Sequence, residues 1–93
     1  MQRRKQIMEY VLASFRSRND TVGFYNFLKR NGLRCEIANT PKEAGVGCGI
    51  SVKFRAEYLR AVKSALQVYG TRSFAGFFIV RPFGNKKTVK PVR

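Results

Sequence analysis

Six apolar segments that switch between two spacings decide what this chain can fold into. Residues 8–15, Met-Glu-Tyr-Val-Leu-Ala-Ser-Phe, are rich in aromatic and aliphatic side chains and read as a first strand. The polar break at residues 16–20 offers N-cap candidates. After it, Val22, Phe24, Tyr25, Phe27 and Leu28 recur at the spacing of an amphipathic helix. Lys29 and Arg30 suit the negative end of that helix, and Asn31-Gly32 supplies a left-handed stop. Leu33, Cys35 and Ile37 then alternate with Arg34 and Glu36, the period of a half-buried strand. A nine-residue loop, 39–47, holds strong turn formers. Cys48, Ile50, Val52 and Phe54 give a third strand. A second helix is predicted from about Ala56 to Tyr69, with Leu59, Val62, Ala65 and Leu66 as its buried stripe and Gly70 at its end. A last strand covers residues 74–81, and Pro82 and Gly84 are expected to release the chain into a basic tail.

The order βαββαβ with right-handed crossovers predicts an α+β, ferredoxin-like sandwich: a four-stranded antiparallel sheet with both helices on one face. Ninety-three residues suffice for one such domain. The expected division is a basic N-terminal tail at 1–7, the domain at 8–81 and a basic C-terminal tail at 82–93. The net charge of +14 is concentrated on those ends. Arg3, Arg4 and Lys5 precede the first apolar run, while Arg81, Lys86, Lys87, Lys90 and Arg93 follow the last. Such ends most often are solvated tails, and they also favour contact with a polyanion such as RNA, a ribosome surface or an acidic protein. The longest apolar run, residues 74–80, is too short to span a membrane, and Glu9 interrupts the first one. A cytoplasmic protein with two reduced thiols is therefore expected.

Several chemistries lack their residues. The chain has no histidine, its two cysteines lie thirteen apart, and its five acids form no obvious pair. Gly45-Val46-Gly47 opens a strand rather than a helix, which is the wrong context for a phosphate loop. No cofactor or metal is expected, and a carrier or binding protein fits better than a stand-alone enzyme.

Of the two thiols, Cys35 falls in phase with Leu33 and Ile37 and reads as a core residue. Cys48 opens its strand between Gly47 and Gly49, whose missing Cβ atoms would let an electrophile approach the sulfur. Lys42, in the same loop, would favour the thiolate. Cys48 also shares phase with Ile50 and Val52, so the residues alone leave a reactive thiol and a core cap both open. Against activation, the loop before the third strand is expected where both helices finish, away from any helix start. The hairpin geometry separates the cysteines by roughly 13 Å, four residues at about 3.4 Å each, which excludes a disulfide.

Residues 10–80 resemble the small bacterial family of selenium/sulfur carrier-like proteins, a domain of unknown function. The resemblance rests on the run Phe24-Tyr25-Asn26-Phe27-Leu28-Lys29-Arg30-Asn31-Gly32-Leu33, on Thr40-Pro41-Lys42-Glu43, and on Cys48-Gly49-Ile50-Ser51-Val52-Lys53-Phe54. It implies that Cys48 accepts sulfur or selenium from a donor protein and passes it to an acceptor. The basic ends and the run Gly45-Val46-Gly47 depart from the family pattern and point to a specialised partner. Two other readings use the same fold. One is a nucleic-acid- or ribosome-binding module relying on charge, since Cys48 and Ile50 occupy the positions where the RNA-recognition motif has aromatics. The other is an adaptor that pairs an edge strand, 33–39 or 74–81, with a partner or as a homodimer.

Overall fold

The computed structural model of the chain describes residues 9–45 and 48–92. Strand β1 (Tyr10–Phe15) leads to helix α1 (Arg18–Arg30), then β2 (Glu36–Asn39), a 3₁₀ turn at Lys42–Ala44 and β3 (Ile50–Arg55). A further 3₁₀ turn (Ala56–Tyr58) opens into helix α2 (Leu59–Tyr69), and β4 (Phe74–Phe83) and β5 (Lys86–Pro91) complete the chain. The strands form one antiparallel sheet in the order β2-β3-β1-β4-β5. None of the helices among the described residues is long and apolar enough to cross a membrane.

The expected four-stranded ferredoxin-like sheet is thus incorrect. There are five strands, and residues 86–91, assigned to a basic tail, form a sheet edge. Pro82, expected to release the chain after a strand ending at residue 81, instead lies within β4. Strand β4 pairs with β1 only as far as Val80, so at Pro82 its sole ladder partner is β5. Proline is tolerated at such a one-sided position. Gly84, at φ 58°, then turns the chain back for Lys86 to pair with Phe83. Residues 78–80 are consequently paired on both sides, and Val92 N–H donates to the Phe77 carbonyl, so much of the edge expected at 74–81 is already occupied. Strand β2 does lie at an edge of the sheet, with Ile37 38% exposed.

Helix α1 starts and stops for local reasons. Ser17 caps its start by accepting from the Asp20 N–H at 3.1 Å. At its end Gly32 takes φ 80°, Leu33 N–H donates to the Leu28 carbonyl and Gly32 N–H to that of Lys29. That crossed pair satisfies carbonyls which a helix end otherwise leaves bare. One face of the sheet presents Val11, Ala13, Phe15, Val52, Phe54 and Phe77, which pack with Phe24 and Leu28 of α1 and Val62 and Leu66 of α2. Both helices therefore lie on that face. Phe15 is central, with its ring centroid 5.4 Å from Phe24, 5.3 Å from Phe74 and 6.3 Å from Tyr69. Gly23 lets α1 approach Tyr69 closely, since a Cβ there would run into the Tyr69 hydroxyl.

The opposite face has no helix, yet Leu12, Ser14, Ser51 and Val80 on it are fully buried. The sheet is curled. The Lys42–Ala44 turn, reached from the β2 edge, comes alongside β5 at the other edge, so the two close over part of this face. The hydroxyls shut in there satisfy one another: Ser14 Oγ lies 2.8 Å from Ser51 Oγ, which Thr40 Oγ1 also meets.

Candidate functional site

The two thiols sit in different surroundings. Cys35 precedes β2 and belongs to the core, and its Sγ donates to the Tyr25 carbonyl at 3.8 Å. Burial pushes this thiol up from its ordinary value of 9.0, with Lys29 acting against the rise and Glu36 adding to it. The core-residue expectation holds. Burial likewise raises the Tyr69 phenol, with Asp20 adding to the rise and Arg72 opposing it.

Both shifts have the same consequence. Above the ordinary values of these groups the folded chain retains protons that the unfolded chain has released. Their contribution to stability is therefore complete at neutral pH and is lost as pH rises through the raised values. The urea midpoint should fall between about pH 7 and about pH 10.5. Cys35→Ala and Tyr69→Phe should each flatten that decline, and a wild-type midpoint that stays level would contradict the assignment.

Cys48 lies two residues before β3 and is 8% exposed. Its Sγ is 3.9 Å from Thr21 Oγ1, in the first turn of α1, and Thr21 Oγ1 itself donates to the Ser17 carbonyl at 3.0 Å. The expectation that Cys48 would lie away from any helix start is corrected. Strand β3 runs antiparallel to β1, with Ser14 opposite Ser51, so β3 begins where β1 ends and where α1 begins. Only α2 finishes at that end. The helix start attracts negative charge through its free N–H groups. The Asp20 carboxylate in the same turn is directed elsewhere, accepting from Ser73 Oγ at 2.7 Å.

The other expected site residues separate. Lys42 is exposed on the 3₁₀ turn that approaches β5, on the side of the sheet away from α1. Among the described residues, the hydrogen-bonding partner of Cys48 Sγ is the Thr21 hydroxyl rather than Lys42. Gly49 is exposed, and a Cβ built on it would meet nothing within 4 Å, so one flank of Cys48 is open among the described residues. Gly47 lies outside the described residues, as do Arg3, Arg4, Lys5 and Arg93. Lys86, Lys87 and Lys90 are all exposed on β5. The expectation of a freely accessible Cys48 is also corrected: the sulfur is tucked against α1. Both cysteines are free, as the hairpin geometry required. Thr21 escaped the sequence reading because only the packing of α1 on the sheet brings it to Cys48. Among the described residues no group of three or more His, Cys, Asp or Glu could hold a metal ion.

A family model described as "Putative Se/S carrier protein-like" matches residues 10–73, from β1 through α2 to the loop before β4. No curated protein and no solved structure is similar enough to match.

Proposed function

Because the chain belongs to the Se/S carrier-like family, we propose that it carries sulfur or selenium as an adduct on Cys48. The observation that carries this reading is the contrast between the two sulfurs. Cys35 is held as a thiol by burial and by the carbonyl it donates to. Cys48 faces the first turn of α1, beside the hydroxyl of Thr21, whose own proton goes to the Ser17 carbonyl.

In the transfer step the Cys48 thiolate attacks the outer sulfur of a persulfide on the donor protein. A new sulfur–sulfur bond forms at Cys48 and the donor's sulfur–sulfur bond breaks. The donor thiolate leaves with the bonding electron pair, and Cys48 then bears the terminal S–H. Attack by an acceptor thiolate on that terminal sulfur repeats the exchange and restores Cys48. The selenium case is the same displacement at a terminal selenium. Negative charge shifts between sulfurs throughout, which is the charge a helix start stabilises. The flank beside Gly49 supplies an approach for the donor.

The test is intact-protein mass after incubation with a cysteine desulfurase and cysteine. Wild type and Cys35→Ser should gain the mass of one sulfur atom, whereas Cys48→Ser should gain none. Equal gain by Cys48→Ser, or none by wild type, would refute the proposal.

A further inference from the structure

At the end of the sheet where β1 starts and β3 finishes, a groove of about 910 Å³ runs from Lys29 of α1 round to the helix-free side. Tyr10 of β1 and Lys53 and Arg55 of β3 belong to this side, because Tyr10 pairs with Arg55 and Leu12 with Lys53. Lys53 Nζ lies 4.4 Å from the centroid of the Tyr10 ring, holding the ring against a cation in the groove wall. Lys29 and Arg34 bring a third and fourth cation to the lining. Two carboxylates face them. Glu9 is engaged by Arg81, whose Nη2 and Nε donate to it at 2.9 and 3.1 Å. Glu36 stands opposite Lys53 in the β2–β3 ladder. Positive charge therefore remains in excess.

It also continues past the groove. Pro82 lines the wall and pairs with Lys87 of β5, which shares the side of Tyr10 and Lys53 and adds a further cation beyond the groove. The β4–β5 hairpin that extends the surface lies beyond residues 10–73, and so outside the part that the family model matches.

We propose that this groove binds single-stranded nucleic acid. An extended row of cations beside a half-buried aromatic ring matches a ligand that repeats both a negative charge and a flat ring. A small anion would use neither the length of the row nor the ring. The site is separate from Cys48, since the groove lies at the end of β3 opposite the one where Cys48 sits.

The experiment is fluorescence anisotropy of the full chain with a labelled oligouridine over a fourfold range of salt. Four phosphate contacts to a single strand give a salt slope near 2.8 on logarithmic axes, or about fiftyfold weaker binding across that range. Lys53→Glu with Arg55→Glu should roughly halve the slope. The matched reversal Lys63→Glu with Arg72→Glu, at exposed positions outside the groove, should leave it nearly unchanged. Tyr10→Leu should weaken oligouridine binding about tenfold at unchanged slope, and leave inorganic polyphosphate binding as it was. Melting curves confirm that each variant folds. If the double reversal does not fold, Arg55→Glu alone, at a side chain 68% exposed, should still lower the slope by about one quarter. The proposal fails if wild type does not bind. It also fails if groove and control reversals act alike, if Tyr10→Leu is neutral, or if duplex RNA binds as tightly as the single strand.

Discussion

Phe15→Ala is expected to lower the unfolding free energy by about 3–5 kcal/mol, a large part of the roughly 5–15 kcal/mol available to a domain. The ring is fully buried where α1, α2 and the β4 end of the sheet meet, against Phe24, Tyr69 and Phe74. Removing it takes away apolar burial and leaves a void that three rigid neighbouring elements cannot close. Phe83→Ala provides the control, because that ring is 54% exposed near the end of β4. It should change stability by less than about 0.5 kcal/mol. Urea unfolding of both variants checks the pair, and similar losses would mean that the core is centred elsewhere.

Deleting residues 84–93 should also be costly, although a composition-based reading treats them as a solvated tail. Val89 lies opposite Val80, Pro91 opposite Phe78, and Val92 N–H donates to the Phe77 carbonyl at 2.9 Å. Truncation strips the β4 edge of its ladder and exposes Val80, which is fully buried in the intact chain. The expected loss is about 3 kcal/mol or more from apolar exposure alone, together with self-association through the bared β4 edge. A solvated tail would leave both the unfolding midpoint and the sedimentation behaviour unchanged. Such an outcome would contradict a five-stranded sheet.

What the sequence disclosed follows from where its signals are local. Helix α1 was legible because its apolar spacing, its polar start and its Asn31-Gly32 stop all lie within one short stretch. Strand β5 was not, because its side chains carry little of the apolar alternation that marks a strand. Lys86, Lys87, Thr88 and Lys90 are exposed, and Val89 alone provides a partly buried aliphatic side chain within the strand. Its place is set by pairing with β4, a tertiary preference that overrides local propensity. The two thiols were separated correctly in part. Cys35 followed from alternation, whereas the surroundings of Cys48 turned on strand direction. An antiparallel β3 must begin where β1 ends, which puts Cys48 beside the first turn of α1. The groove cations left no trace in sequence at all. Tyr10, Lys53 and Arg55 become neighbours only through the β1–β3 register.

The central claim is that the thiol facing α1 is the one that receives the transferred atom. It is tested most directly by mapping that atom in the unmodified chain. After transfer from a charged cysteine desulfurase, persulfides are capped by alkylation, the protein is digested, and the peptides containing Cys35 and Cys48 are compared by mass. The account predicts the extra sulfur on the Cys48 peptide, with Cys35 recovered as a plain thiol. Sulfur found on Cys35, or shared equally between the two peptides, would contradict it.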